Sequence, residues 1–430
     1  MYVLQSPTLN KFKLRTRGCA MLLLISLSSA LMSERLVAED WGHWRGKNGN
    51  GVAEGKPPVA FSDTKNVKWK VEISGAGSGS PVVWGDQVFV STSVPGAQPQ
   101  QLKFQLLCFD RQTGKPLWQQ TATEAIPHQE THSTSNHAPA SPCTDGQHVY
   151  AHFGSRGLYC YTMKGELKWK REFGKMETRN SFGEGSSPTI AGDMLLVPWD
   201  HEGPSALFAV NKLNGETIWE AKRDEPTCWA TPLVVEHAGK KQVVMNGQNF
   251  ARSYDLETGK ELWRCGGQTE RPCASAVAMD DLVFVGSGFR GAFMGAFKLD
   301  GKGDIAGTKS VAWSLDRDTP DVASPCLSGG RLYFYKGKSG QLTCVDARTG
   351  KPHYSAVRVP GMNSTYASPV AAGGHVYLTD RSGTIVVIED APTFKIVSTN
   401  AMGEGVDATP AIVGNQMFIR SAQHLFCIAE

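Results

Sequence analysis

Three histidines that could hold a metal ion lie in one stretch of the chain. His128, His132 and His137 occur in ATEAIPHQETHSTSNHAP, between Thr121 and Pro139. Imidazole nitrogens are common metal ligands. The spacing matches no standard zinc pattern, however, and histidines in loops are usually solvated or cap turns. We therefore predict no metal site and interpret the stretch as a binding loop, because long insertions between regular elements are often functional.

Other polar side chains could form a binding site around one opening of the molecule. They come just before short apolar runs and are Asn136, Arg179, Asn180, Glu184, Trp229, Asp321, Asn363 and Asp407. Such a ring could bind an anionic or polyol ligand, or it could serve only hydrogen bonding within loops. Trp229 could stack on a flat ligand or lie partly buried in a loop. Arg290 and Asp200 follow hairpins, and the sequence leaves open which rim they occupy.

Cysteine usage favours structural roles. Four cysteines occupy the same place in similar apolar runs, which is typical of a small buried residue. These are Cys108, Cys160, Cys344 and Cys427. Cys265 and Cys273 flank a single connection, so they could form a disulfide or remain free thiols.

A repeated unit must position these residues. In YDLETGKELW, Asp255 ends an apolar run, Thr258-Gly259 follows, and Trp263 comes eight residues after the aspartate. This D-x-x-T-G-x-x-x-W spacing predicts a β-hairpin, because glycine takes the positive φ of a short turn. The phrase recurs with small changes at residues 110–118, 211–219 and 346–354. Self-similarity at a period of roughly 20 to 50 residues predicts a repeat architecture.

A second marker, a Ser/Thr-Pro pair that opens an apolar run, sets the number of repeats. Its eight copies begin at Ser80, Ser141, Ser187, Thr231, Ser275, Ser324, Ser368 and Thr409, with alanine in place of proline after Ser275. Each unit contains about four short strands, and proline is typical of an edge strand because it lacks an N–H. The sequence therefore predicts an all-β, eight-bladed β-propeller of four-stranded blades, whose first strands line the central axis.

The last unit ends after its third strand, and the missing strand is found near the other end of the chain. Residues 67–73 alternate like a strand, carry Trp69 and follow no other strand. We predict that they complete the C-terminal blade and close the ring. One aromatic residue per unit should then pack against the next blade. These are Trp69, Trp118, Trp169, Trp219, Trp263 and Trp313, with Tyr354 and Phe394 in the other two units.

The beginning of the chain has the features of an export signal. Basic residues precede an apolar run at 20–32, with a cleavage site expected after Ala38. The run is shorter than the roughly 20 residues of a membrane span, although an uncleaved anchor remains the alternative. Removing residues 1–38 lowers the formal net charge from +3 to −1, which gives no reason to expect nucleic acid or an anionic membrane as a partner. Residues 39–66 then form an N-terminal loop and residues 67–430 a single propeller domain.

From Trp69 onwards, with the D-x-x-T-G-x-x-x-W phrase as its repeat, the chain resembles the pyrroloquinoline-quinone-type (PQQ-like) propeller family. That family includes the quinoprotein alcohol dehydrogenases and the lipoprotein propellers of outer-membrane protein assembly. The segments WGHWRGKNGNG, FGSRGLYCY and YASPV are similar to an exported subgroup of the family. Through the dehydrogenases, the resemblance implies PQQ with Ca²⁺ in the central funnel, an aspartate base and a disulfide between adjacent cysteines.

The dehydrogenase features are missing from this sequence. It has no adjacent cysteine pair and no C-x-x-C-H haem attachment. It also lacks the G-x-S-x-G and P-loop motifs of other enzyme classes. We predict an exported binding or scaffold protein for a protein, peptide or carbohydrate ligand, with a PQQ-dependent alcohol or sugar oxidoreductase as the alternative. No catalytic residue is predicted. The predicted ligand-binding residues are His128, His132, Asn136, His137, Arg179, Glu184, Trp229, Arg290 and Asp407.

Deleting the predicted closing strand should destabilise the protein strongly. A variant that lacks residues 39–73 but keeps the export signal would leave the C-terminal blade with an unpaired edge. We expect a much lower melting temperature, measured by circular dichroism, than for the full chain. An unchanged melting temperature would show that the ring closes in another way.

Overall fold

The computed structural model describes residues 40–430, so the predicted export signal at residues 1–38 lies outside the described residues. Within this range the regular structure consists of 34 β-strands and two short 3₁₀ turns, Gly154–Arg156 and Arg179–Ser181. None of the helical segments between residues 40 and 430 is long and apolar enough to cross a membrane.

The strands follow one another around the ring in chain order. Two strands precede the first blade, β1 (Val52–Ala53) and β2 (Val67–Glu72). Blades 1 to 3 are built from β3 (Val82–Trp84), β4 (Gln87–Pro95), β5 (Leu102–Asp110), β6 (Pro116–Ala125), β7 (Cys143–Thr144), β8 (His148–His152), β9 (Leu158–Thr162), β10 (Leu167–Arg171), β11 (Thr189–Ala191), β12 (Met194–Trp199), β13 (Ser205–Asn211) and β14 (Thr217–Arg223). Blades 4 and 5 are built from β15 (Leu233–His237), β16 (Lys240–Met245), β17 (Ala251–Asp255), β18 (Glu261–Cys265), β19 (Val277–Met279), β20 (Leu282–Ser287), β21 (Phe293–Lys298), β22 (Gly303–Asp304) and β23 (Val311–Leu315). Blades 6 to 8 are built from β24 (Cys326–Ser328), β25 (Arg331–Tyr335), β26 (Gln341–Asp346), β27 (Pro352–Arg358), β28 (Val370–Ala372), β29 (His375–Thr379), β30 (Thr384–Glu389), β31 (Ile396–Ala401), β32 (Ala411–Val413), β33 (Gln416–Arg420) and β34 (His424–Ile428).

These strands form eight antiparallel sheets, which confirms the predicted eight-bladed propeller. The last sheet has the order β2-β34-β33-β32, so the N-terminal strand completes the C-terminal blade as predicted. In that pairing Trp69 lies opposite Cys427. Two blades gain a fifth, parallel strand: β1 joins blade 7 beside β28, and β22 joins blade 4 beside β18.

A chain of serine and threonine hydroxyls links the blades around the axis. At seven of the eight seams, the backbone N–H of one marker residue donates a hydrogen bond to the hydroxyl of the next. The Ser141 N–H, for example, donates to Ser187 Oγ at 3.0 Å. The other acceptors are Ser141, Thr231, Ser275, Ser324, Ser368 and Thr409, at 2.8 to 3.1 Å. The Ser/Thr of the repeated marker therefore satisfies a buried backbone donor of the preceding blade.

Tryptophans at the end of the hairpin phrase make the outer part of five seams. The Trp219 indole N–H donates to the Leu256 carbonyl of the next blade at 2.9 Å. Trp69, Trp118, Trp169 and Trp313 donate in the same way to Arg111, Met163, Lys212 and Ala347. Each ring lies over the glycine of the next hairpin, and a Cβ added to Gly259 would come within 2.6 Å of Trp219. The glycine is thus required for packing across the seam as well as for the turn.

The remaining seams use other contacts. Trp263 is fully buried against Phe297 of blade 5, with ring centroids 5.8 Å apart, and strand β22 pairs beside it. Tyr354 of blade 6 contacts Phe394 edge to face at 5.7 Å.

Residues 40–56, which we call the base segment, belong to the stretch 39–66 that was predicted as an N-terminal loop, and the structure gives them a further role. The segment contains β1 and runs past the inner strands in blade order. Its hydrogen bonds join Trp41 to Val83, Gly42 to Thr144, Asn50 to Ala278 and Leu327, Gly51 to Ala371, and Lys56 to Asn415. It therefore connects blades that are far apart in sequence and covers one end of the axis.

The second role of the hairpin glycine can be tested with two matched substitutions. Gly259 (φ +70) and Gly239 (φ +74) have the same left-handed backbone, but nothing lies within 4 Å of a Cβ at Gly239. Gly239→Ala should cost about 1 kcal/mol from backbone strain alone. Gly259→Ala should cost about 1–3 kcal/mol more, because its methyl group collides with the Trp219 ring.

The measurement is the free energy of unfolding in urea for both variants. Equal losses at the two positions would mean that the glycine serves the turn only and that the ring accommodates a methyl group.

Candidate functional site

The axis of the propeller contains a cavity of about 620 Å³. Trp44 of the base segment lines it at one end and also lines a smaller cavity between the base segment and the inner strands of blades 3 to 5, so the base segment covers this end. Five of the residues whose hydroxyls link the blades line the cavity, namely Ser141, Ser187, Thr231, Ser368 and Thr409. Because each hydroxyl accepts one backbone N–H, its own hydrogen and one lone pair remain for a ligand.

The opposite end, which we call the mouth, is partly covered by the loop that carries the three histidines. We predicted an insertion from Thr121, but β6 continues to Ala125, because residues 121–125 pair with β5. The loop thus spans residues 126–139. Thr134 reaches across to Tyr366, with 2.8 Å between the two hydroxyl oxygens. The loop therefore connects opposite sides of the mouth and narrows it.

Six of the nine predicted ligand-binding residues line this cavity. They are His132, Arg179, Glu184, Trp229, Arg290 and Asp407. Arg290, whose rim the sequence left open, therefore lies at the mouth. Asn136 is close by and donates to Ser78 at 3.1 Å. His128 and His137 lie outside the lining, towards a smaller side cavity.

The three histidines have separate partners. His128 contacts the Met176 carbonyl at 2.7 Å and Arg156 at 3.2 Å. His132 packs edge to face on Phe182, with ring centroids 4.9 Å apart. Burial lowers the pKa of His137. His128 and His132 thus make separate local contacts, and His137 lies near enough to Arg156 and His128 to feel their charge.

Each carboxylate that lines the cavity is paired with arginine. Glu270 lies between Arg179 at 3.4 Å and Arg290 at 3.8 Å. Asp407 forms a bidentate ion pair with Arg381, whose Nε and Nη2 donate to the two carboxylate oxygens at 2.7 and 3.0 Å. Glu184 accepts hydrogen bonds from Ser155 and lies 3.4 Å from Arg156. Little negative charge is therefore left uncompensated around the cavity.

Four further residues line the mouth and are not among those predicted from the sequence, namely Arg271, Phe289, Lys338 and Tyr366. The Arg271 guanidinium lies 3.3 Å from the centroid of the Phe289 ring and 5.7 Å from that of Phe182. Lys338 lies over Tyr366, 6.0 Å from its ring centroid. These residues stand outside the repeated phrases, and the only signal that could have found them is a basic or aromatic residue in a connection between blades.

A side cavity of about 30 Å³, room for roughly one water molecule, adjoins the central one and shares Glu184 and Trp229 with it. His152 lines it and is 3% exposed. Burial lowers the pKa of His152 to about 4, against a smaller opposing effect of the nearby Ser186 backbone. Asp200 also lines this cavity, and both its oxygens bind the buried Arg223.

Cys265 and Cys273 are free thiols in the structure, which answers the question that the sequence left open. Their sulfur atoms lie near backbone carbonyls of Gly266 and Arg271, respectively. Burial raises the pKa of Cys273, which lines the cavity, to about 12. This thiol is therefore protonated and unreactive at neutral pH.

PQQ with Ca²⁺ is the cofactor that the predicted resemblance implies, and the cavity does not fit its metal. Ca²⁺ takes about six to eight oxygen ligands, whereas Glu184, Glu270 and Asp407 come from three different connections and each already pairs with arginine. Across residues 40–430, no group of three or more His, Cys, Asp or Glu side chains is placed to hold a metal ion.

Comparisons with known proteins agree with this architecture. A family model described as outer membrane protein assembly factor BamB matches residues 40–184, 102–352 and 251–429. No curated protein matches the chain in sequence.

Several solved structures share the fold. BamB from Moraxella catarrhalis is 13% identical with a TM-score of 0.58, over 84% of this chain and 96% of that one. The quinohemoprotein alcohol dehydrogenase from Comamonas testosteroni is 10% identical with a TM-score of 0.62, over 90% and 80%. The computationally designed Ika8 protein is 11% identical with a TM-score of 0.55, over 83% and 100%. At such identities the likeness shows the fold alone.

The buried His152 predicts how stability depends on pH. Its pKa is about 4 in the folded protein, against an ordinary value of 6.5. Between these values the unfolded chain binds a proton that the folded chain does not, so the free energy of unfolding should fall as the pH falls from 6.5 to 4. The contribution of this residue is on the order of 3 kcal/mol.

Urea unfolding at several pH values between 7.5 and 4 would measure this dependence. His152→Asn removes the titrating group, so its curve should be flatter than that of the wild type over this interval. Parallel curves would show that His152 is not responsible.

Proposed function

Because the chain belongs to the family of outer membrane protein assembly factor BamB, we propose that it is an exported, non-catalytic binding protein that takes its ligand in the central cavity. The observation that carries the proposal is the geometry of this cavity. It is closed at one end by the base segment, narrowed at the other by the loop of residues 126–139, and lined at the mouth by side chains that differ from blade to blade. Residues that repeat build the ring, and residues that do not repeat line the mouth.

The chemistry of the mouth supports binding over catalysis. Its carboxylates are neutralised by arginine, and its one thiol is protonated at neutral pH because burial raises the pKa of Cys273. Its aromatic side chains, among them Trp229 and Tyr366, supply the apolar surface that ligand pockets commonly use. An assembly factor acts by contact with other molecules, and a rigid ring with an uneven mouth suits such a role.

Trp229 offers a direct test of binding at this mouth. It is half buried, and its indole N–H donates to the Gly183 carbonyl at 2.7 Å. A panel of saccharides and peptides would be screened by thermal shift against the wild type, Trp229→Ala and Trp84→Ala. Trp84 is a matched control, since it is also half buried but does not line the cavity. We expect ligands that raise the melting temperature of the wild type and of Trp84→Ala by several degrees but do not affect Trp229→Ala.

The same protein would also be mixed with PQQ and Ca²⁺ in the presence of alcohols, aldose sugars and a redox dye. We expect no dye reduction. Turnover of the dye would contradict the proposal and favour the oxidoreductase, and a screen without any ligand that depends on Trp229 would contradict binding in the cavity.

A further inference from the structure

We propose that the ligand of the central cavity is an acidic saccharide, whose carboxylate or sulfate group is held by Arg271 and Lys338. This inference rests on the proposed function, since it names the ligand of the same cavity. It is carried by three observations: two cations that form no ion pair within residues 40–430, a supporting structure that holds one of them in place, and a lining that offers several hydroxyl groups.

The first observation is the charge around the cavity. Four cations line it, Arg179, Arg271, Arg290 and Lys338. Arg179 and Arg290 share Glu270, whereas Glu184 and Asp407 are paired with Arg156 and Arg381 from outside the lining. Among the residues that the structure describes, neither Arg271 nor Lys338 forms an ion pair. The cavity therefore carries an excess of positive charge, although the chain from residue 39 onwards is close to neutral.

The two unpaired cations lie on the same part of the wall. Both act electrostatically on Asp321 and on Cys273. Asp321 is 5% exposed and forms no ion pair with either cation among the described residues, although both lower its pKa against the larger effect of burial. An anion placed beside Arg271 and Lys338 would therefore meet attraction from both cations, opposed by one nearby carboxyl group.

The second observation is the way in which Arg271 is held. Its guanidinium lies against the faces of Phe289 and Phe182, and its backbone N–H donates to Gln248 at 3.1 Å. Its backbone has φ +46, a conformation that costs energy for a residue other than glycine. This guanidinium is thus fixed before a ligand arrives, and its planar donors suit the paired oxygens of a carboxylate or sulfate.

The third observation is the row of hydroxyl groups deeper in the cavity. Each of the five seam hydroxyls that line it accepts one backbone N–H and so keeps one hydrogen to donate and one lone pair to accept. Such a lining suits a ligand that carries hydroxyl and ether oxygens along its length as well as a charge at one end. Acidic saccharides have both properties, and the aromatic lining can pack on their sugar rings. An acidic peptide has the charge but fewer oxygens along its backbone.

Isothermal titration calorimetry on the purified protein would test the proposal. The probes are trigalacturonate, its fully methyl-esterified and uncharged form, a sulfated galactan trisaccharide, and pentaglutamate. Comparing trigalacturonate with the sulfated trisaccharide shows whether the bound anionic group is a carboxylate or a sulfate. We expect at least one acidic saccharide to bind roughly tenfold or more tightly than the methyl ester and than pentaglutamate.

Charge removal at the two cations should weaken this binding. Arg271→Gln and Lys338→Met should each lower the affinity roughly tenfold or more, as expected for loss of a charge-assisted hydrogen bond. Lys240→Met removes an exposed charge outside the cavity and should change nothing. Arg271→Gln could also lower the melting temperature, which would confound its effect on binding. Lys338→Met then tests the proposal alone, because the Lys338 side chain makes no hydrogen bond or ion pair among the described residues and its loss should leave the fold stable.

Equal binding of the methyl ester, preference for pentaglutamate, or full affinity in both variants would overturn the proposal. So would failure of every saccharide to bind. The thermal-shift panel tests binding in the cavity separately, through ligands that stabilise the wild type but not Trp229→Ala. The acidic-saccharide assignment can therefore fail while the binding function stands.

Discussion

The ring depends on hydrogen bonds in which a hydroxyl of one blade accepts a backbone N–H at the start of the neighbouring inner strand. The first strand of every blade lies at the crowded axis, where a backbone N–H without a partner would cost on the order of 1–3 kcal/mol. At seven seams a serine or threonine hydroxyl accepts this N–H, while proline after most of these residues presents no N–H of its own. The outer end of most seams is fixed by a tryptophan that donates to a carbonyl and covers a glycine of the next hairpin.

A ring of similar blades must be closed between its first and last blade, and the two ends of its central axis must be either covered or open. Strand β2 closes it by pairing with β34, and the base segment closes one end of the axis by bonding to inner strands around the circle. Arg45 of this segment is almost fully buried and donates to the carbonyls of Asn50 and Pro325. The result is a deep cavity with one mouth, so that any ligand must enter past the loop of residues 126–139.

The proposed binding site is formed mainly by residues in which the blades differ. The seam hydroxyls hold the blades together, and five of the residues that carry them also line the cavity. The mouth adds Arg271, Lys338 and several aromatic rings, which come from different connections and from different blades. A rigid ring can hold such groups at fixed positions, so that little entropy of the protein side chains is lost when a ligand binds. This favours recognition of a defined chemical group.

The sequence by itself determined the architecture: the number of blades, the closing strand and the phrase at each seam. These follow from local rules, since a Thr-Gly turn, a Ser/Thr-Pro start and an aromatic residue have the same neighbours in every unit. It also identified six residues of the mouth: Arg179, Glu184, Trp229 and Asp407 precede inner strands, His132 lies in the long loop, and Arg290 follows a hairpin. Only the tertiary structure decided that the base segment closes the axis, that Cys265 and Cys273 stay apart, and that Arg271 and Lys338 share one wall. Their proximity depends on contacts between residues tens of positions apart, across blades whose connections share no repeated spacing, and no local pattern in the chain encodes such contacts.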